Sequence, residues 1–148
     1  MKSYLFSFED APLDEPFESP GRTLSETDLV TFSMITGDWG PIHADEEFAR
    51  STPVGTRMFH GTFGIALAVG MSAGLVQFTT PVIAALGVRE WVYRAPLVVG
   101  DTVHLRMTIV GKRVASSGNR GIVSRRLELV KHDGSVAQEG LADLMIAL

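Results

Sequence analysis

The chain has 148 residues, 45% hydrophobic and 20% charged, with a formal net charge of −4 and no cysteine. That length and balance fit one domain, spanning residues 1–148, with a core of ordinary size. The acidic excess argues against a nucleic-acid partner, and the missing thiols exclude disulfides, thiolate metal sites and cysteine nucleophiles.

The opening residues reach Glu9 and Asp10 after too short an apolar run for a secretory signal, so a cytoplasmic location is expected. Tyr4, Phe6 and Phe8 alternate with other residues as a weak strand signal. Residues 11–20 hold three of the seven prolines and read as an extended arm, with a short strand expected over 17–24. Ser25 can cap a helix whose first turn carries Asp28. Leu29, Phe32 and Ile35, flanked by Val30 and Met34, continue it at helical spacing, and Gly37 stands where the helix needs a left-handed last residue.

Asp38 and His43 follow. On one helix, residues five apart point about 140° away from each other, so a helix cannot aim both at one point. A loop built on Gly37, Gly40 and Pro41 can. Residues 45–50 read as one or two helical turns with acids at the start, and 51–59 as a loop carrying Pro53 and Gly55.

Residues 61–88 contain no charge, which raises the question of a membrane span. Gly61, Gly64, Gly70 and Gly74, five polar residues and Pro81 argue against it. The expectation is a buried helix over 61–78, about 27 Å long, with its small residues admitting a neighbour closely. Met58, Phe59, Phe63, Met71 and Phe78 are expected in the core rather than in a ligand pocket.

The remainder reads as strands. Residues 82–93 are rich in β-branched and aromatic side chains, with Gly87 a candidate bulge. Val103, Leu105, Met107 and Ile109 alternate with polar residues, as a half-buried strand does. Further strands are expected over 122–130 and 136–148, joined by a tight turn at Asp133-Gly134. Helices first and hairpins after predict an α+β fold, with an antiparallel sheet on a long helix.

The chemistry candidates divide as follows. An imidazole beside a carboxylate suits activation of water, although Asp38 and His43 could equally be a turn cap and a loop histidine. The amide of Gly61, at a helix start, could stabilise an oxyanion, or Gly61 could serve close packing alone while His60 caps the helix or lies near the surface. A metal site from His43, Asp45, Glu46, Glu47 and His60 matches no zinc spacing. Lys112, Arg113, Arg120, Arg125 and Arg126 could meet an anionic ligand, but a solvated sheet face is the simpler reading. His104 and His132 read as exposed polar positions.

Taken together, Gly37-Asp38-Trp39-Gly40-Pro41-Ile42-His43-Ala44-Asp45, then His60-Gly61-Thr62-Phe63-Gly64, then Pro96-Leu97-Val98-Val99-Gly100-Asp101-Thr102 resemble the MaoC-like hydratase family, which includes the (R)-specific enoyl-CoA hydratases. The resemblance covers nearly the whole chain. It implies a hot-dog fold, in which a curved antiparallel sheet wraps a long central helix, and a dimer whose sheets join, alone or in a larger assembly of dimers.

It further implies a hydro-lyase acting on enoyl or 3-hydroxyacyl thioesters, with acyl-CoA as substrate rather than cofactor, no metal and no membrane partner. The catalytic pair maps onto Asp38 and His43, which hold and activate a water, and the oxyanion amide maps onto Gly61. Basic residues near the subunit interface would meet the coenzyme A phosphates. One departure stands inside the motif: Gly40 replaces the family's usual Asn. Two other readings remain on the same fold, a non-catalytic acyl-thioester binder or partner subunit, and a thioesterase. Thioesterases of this fold generally carry a carboxylate on the central helix, and residues 61–78 hold none.

Overall fold

In the computed structural model, residues 3–148 are described. The signal-peptide reading falls in part on Met1 and Lys2, outside that range. Strand β1 (Tyr4–Phe6) is followed by β2 (Pro16–Glu18) and β3 (Arg22–Thr23), so the proline arm and the strand expected over 17–24 become two short strands. The reason is visible in the pairing: both lie on one long later strand, with Pro20 and Gly21 between them.

Helix α1 (Glu26–Thr36) starts and stops where its local chemistry dictates. Ser25 accepts from the Asp28 amide while Asp28 accepts from the Ser25 amide, so two free donors are satisfied reciprocally. Burial works against the Asp28 charge, but the hydrogen bonds from Ser25 and the nearby Arg22 outweigh it and hold its pKa below the ordinary value. Gly37 ends the helix at φ 73°, donating to the Ser33 carbonyl at 2.8 Å. The buried face differs from the periodicity, however. Leu29 and Ser33 are buried, whereas Met34 and Ile35 are 68% and 76% exposed.

Two short helices follow, α2 (Pro41–Ala44) and α3 (Glu46–Arg50). Helix α4 (Gly61–Leu75) is the long apolar helix, shorter than expected because the chain turns extended at Val76 to form β4 (Val76–Phe78), parallel to β1. Its Phe63, Gly64, Leu67, Ala68, Ser72 and Leu75 are buried, while Thr62, Ala66, Gly70 and Ala73 form an exposed stripe. Among the described residues no helix is long and apolar enough to cross a membrane.

The main sheet is completed by β5 (Val82–Tyr93), β6 (Thr102–Val114), β7 (Arg120–Lys131) and β8 (Val136–Ala147). Its order is β2-β6-β7-β8-β5, with β3 also on β6, and every pair is antiparallel. Val103, Leu105, Met107 and Ile109 of β6 are at most 1% exposed and face α4 with Val123, Leu127 and Leu129 of β7. Each such side chain contributes about 1.5–3 kcal/mol by leaving water. The pairing slips between Ala85 and Gly87, the bulge expected at Gly87. A helix held by a curved antiparallel sheet is the hot-dog fold, and it sets the start of α4 beside the Asp38 loop.

Candidate active site

The Asp38 loop is built from local hydrogen bonds. Asp38 Oδ1 accepts the Gly40 N–H at 3.0 Å, an Asx turn, and Pro41 then opens α2 at the position where a missing N–H costs nothing. His43 therefore lies on a single helical turn rather than on the loop itself, and Asp38 lies outside that turn. This is how two residues five apart converge.

A backbone carbonyl and a stacked ring place the imidazole. His43 Nδ1 is 2.7 Å from the Met58 carbonyl, an acceptor only, so Nδ1 carries the proton and Nε2 presents its lone pair. His60 stacks on His43, with ring centroids 3.8 Å apart and planes 23° apart. Its Nε2 lies 2.9 Å from the Asp38 carbonyl and so donates to it, which ties the loop to the start of α4. His60 Nδ1 is left buried without a hydrogen-bond partner. His60 holds the N-cap position of α4, but its side chain does no capping: its ring lies on the loop and against Phe32.

Asp38 Oδ2 is 3.8 Å from His43 Nε2. That is too far for a direct hydrogen bond and is a distance one water spans. Both atoms accept, so a single water can donate one hydrogen to each. Such a water is held and polarised at once, which is what general base catalysis needs. The Asp38 side chain is 56% exposed and that of His43 12%, so the pair is open on the carboxylate side.

Gly61 opens α4 with no side chain capping it, so its amide points out of the positive helix end. A Cβ at this position would lie 2.9 Å from the Tyr93 ring, so only glycine allows that ring to cover the helix start. Gly61, Tyr93, Met58, Arg94, Leu97 and Gln138 line part of a cavity of about 380 Å³. Asp38 and His43 are not among its walls. They sit beyond Met58, whose carbonyl holds His43.

Gly40 has φ −49° and ψ 141°, accessible to any residue, so its backbone does not require glycine. A Cβ there would stand 3.2 Å from Asp38 Oδ1 and 3.7 Å from His43 Cδ2. Glycine therefore leaves space directly beside the pair.

The metal reading fails on its named acids. Asp45 caps α3 through the Phe48 amide, Glu46 binds Thr56 and Arg57, and Glu47 pairs with Arg50. Asp38, His43 and His60 do offer atoms within 4.8 Å of one another. The His60 Nε2 is committed to the Asp38 carbonyl, which leaves two ligands, short of the three that a catalytic metal site uses.

Sequence reasoning missed Arg57. It bridges Glu26 of α1 at 2.8 Å and Glu46 of α3 at 2.9 Å, clamping the segments on either side of the Asp38 loop. The hydrogen bonds it donates to those carboxylates hold its pKa above the ordinary value. Tyr93, Trp91 and Gln138 were also missed, because the sheet alone brings them to α4. The basic cluster needs correction. Lys112 donates to the Phe8, Glu9 and Ala11 carbonyls, and Arg125 is buried, so neither belongs to a solvated face.

A hot-dog domain with a carboxylate–imidazole pair set against the start of its central helix defines a class of protein, and the comparisons agree. The MaoC-like domain model matches residues 8–129, and the chain belongs to that family. It is 35% identical over 109 residues to Protein MaoC of Klebsiella aerogenes, matching 72% of this chain and 31% of that protein. It is 31% identical over 94 residues to the (R)-specific enoyl-CoA hydratase of Rhodospirillum rubrum, matching 63% of this chain and 62% of that one. The chain thus spans less than two thirds of either relative's length. The solved monoamine oxidase regulatory protein of Archaeoglobus superposes with a TM-score of 0.86 and 27% identity, covering 99% of this chain and 98% of that one.

Proposed function

We propose that residues 1–148 form a single domain that acts as a hydro-lyase, adding water to trans-2-enoyl thioesters, with acyl-CoA as substrate and no further cofactor. The observation that carries this is the pair of acceptors, Asp38 Oδ2 and His43 Nε2, held 3.8 Å apart with the tautomer of His43 fixed by the Met58 carbonyl. As the water attacks C3, His43 Nε2 takes its proton and the hydroxyl stays on C3. The electron pair of the double bond moves to the thioester oxygen, where the Gly61 amide meets the developing charge; as the carbonyl re-forms, the proton held by His43 passes to C2, which restores the neutral imidazole. The same path reversed dehydrates a 3-hydroxyacyl thioester. The name of the Rhodospirillum rubrum relative supports the reading.

The test is loss of the conjugated enoyl-thioester absorbance when protein is added to a panel of short, medium and long trans-2-enoyl-CoAs. Turnover of at least one member is expected. Calorimetric binding of acyl-CoA with no turnover across the panel would instead establish a binding protein, the reading that Gly40 favours. A thioesterase is less well supported, since α4 carries no carboxylate.

We further propose a homodimer in the cytoplasm, made by pairing the free edge of β5. Among the described residues that strand pairs with β8 alone, and Val82, Ile83, Leu86, Val88, Val92 and Tyr93, from both of its faces, are 42–56% exposed. A twelve-residue apolar edge invites a second strand, and a second copy would also cover the exposed stripe of α4. Light scattering at micromolar concentration should give twice the chain mass; a monomer would sink this part of the proposal.

A further inference from the structure

The inward row of β7 reads Val123, Arg125, Leu127, Leu129, three aliphatic side chains and one guanidinium only 6% exposed. Arg125 donates from Nη1 to Ser72 Oγ at 2.9 Å and from Nε to the Ala142 carbonyl at 3.3 Å. Among the described residues no carboxylate lies within ion-pair distance of it. Asp143, the acid whose charge acts on it, is paired with Arg89 on the opposite face, since the neighbouring Ala142 and Leu144 are the ones turned inward. Burial pushes the Arg125 pKa down to about 10, and the attraction of Asp143 does not offset it.

A buried cation with no counter-charge is expensive, and an aliphatic residue would fill this position more cheaply. Five N–H donors stand on the guanidinium, and two are used. The group borders a cavity of about 420 Å³ at the far end of α4, whose other walls include Val69, Ala73, Val76, Phe78 and Leu144. One cation in a mostly apolar chamber, where Ser72, Gln77 and Thr80 are the other polar side chains of the wall, matches a monoanion on an apolar chain. A phosphate would need several more donors, and a neutral chain would leave the cation unpaired.

We propose that this cavity binds the carboxylate of an aliphatic chain, with Arg125 as its partner. Two sources share that chemistry. One is the far end of the thioester substrate itself, a form that rests on the hydro-lyase reading. Ser72 is eleven residues beyond Gly61 on α4, about 16 Å along the helix, so this substrate would be a long dicarboxylic acid held as a monothioester. The other is a free fatty carboxylate acting as a separate ligand.

The experiment uses the full chain, with Arg125→Met as an apolar variant of similar length and Arg125→Lys as the charge-conserving one. Laurate and lauryl alcohol are titrated by calorimetry. The expected result is laurate binding at least about ten-fold tighter than the alcohol, a preference lost in Arg125→Met and partly kept in Arg125→Lys. Initial rates on a long trans-2-enoyl-CoA are then compared with and without a terminal carboxylate. A preference of at least about ten-fold for the carboxylated chain, lost in Arg125→Met, assigns the carboxylate to the substrate. Equal rates with laurate binding intact assign it to a separate ligand.

No laurate binding and no preference between the two thioesters overturn the proposal. So does an Arg125→Met protein that melts lower than the parent and binds laurate as well as it does, because Arg125 is then only a strut to Ser72. Turnover of enoyl-CoA without any carboxylate effect removes this proposal and leaves the hydro-lyase reading standing. Laurate binding without turnover of any enoyl-CoA does the reverse.

Discussion

His43→Ala is expected to lower kcat/KM for enoyl-thioester hydration by about two to four orders of magnitude, the range a positioned general base supplies. The loss should fall on kcat, because the imidazole acts on the water and its proton rather than on the bulk of the substrate. Asp38→Ala is expected to lose activity on the same scale, since the water would then have one acceptor instead of two. The double variant should be little worse than either single one, as expected of groups that handle one molecule together. Melting temperatures close to the parent's would show that the variants are folded. If both single variants turn over enoyl-CoA at the parental rate, the 3.8 Å pair is a turn and a packed histidine, and the site lies elsewhere.

Gly64→Ala is expected to destabilise the fold, although alanine is the better helix former by about 1 kcal/mol. A Cβ at 64 would stand 2.1 Å from Gln138 Oε1 and 2.4 Å from its Cδ. Gln138 is 3% exposed and borders the cavity beside Gly61, and its Oε1 accepts the Trp91 indole N–H at 3.0 Å, a bond that any swing of the amide would break. Either α4 moves off the sheet or the amide swings away and strands the indole. Overpacking costs about 1–3 kcal/mol and an orphaned donor a similar amount, so a net loss of about 1–4 kcal/mol is expected after the helical gain. Denaturant unfolding measures it. In a double-mutant cycle, Gln138→Ala removes the obstacle, so Gly64→Ala in that background should be neutral or stabilising. Equal costs in both backgrounds would mean that Gln138 does not set the spacing between helix and sheet. The same displacement tilts the start of α4, so the Gly61 amide and the Tyr93 ring should also shift, with a fall in activity.

How much was legible depended on how local each feature is. The capping of α1 by Ser25 and Asp28, its end at Gly37 and the turn at Gly134 rest on neighbours within a few residues, and each stands where the sequence put it. The helix expected over 61–78 loses its last turn to β4 because β1, some seventy residues earlier, offers Val76 and Gln77 a parallel partner. No periodicity inside the segment records that offer. Met34 and Ile35 follow the helical spacing of α1 and are nonetheless exposed, because the helix meets the core along Leu29 and Ser33, with Phe32 against Phe63 of α4.

Arg125 shows the same limit more sharply. In a strand, side chains alternate between faces, and a shift by one residue exchanges them. Ser124, Arg125 and Arg126 interrupt the apolar alternation of β7, so either arginine could have been the inward one. Pairing with β6 and β8 decides it: Arg125 stands opposite Ile109 and Ala142, both buried, and Arg126 opposite the partly exposed Thr108.

The sequence by itself determined that an acid and an imidazole five positions apart, broken by Gly40 and Pro41, could converge only through a turn, and that an uncharged helix beginning at Gly61 would need a sheet around it. Those statements follow from covalent spacing and from water's exclusion of apolar surface, and both act within one segment. Only the tertiary structure decided which nitrogen of His43 keeps its lone pair free, because the Met58 carbonyl that engages Nδ1 lies fifteen residues away. It also decided that the His60 side chain ties the loop rather than capping its helix, that Tyr93 covers Gly61, and that one arginine of an adjacent pair is buried. Each of these depends on which residues of distant strands and loops share a face, and that is set when the sheet closes over α4.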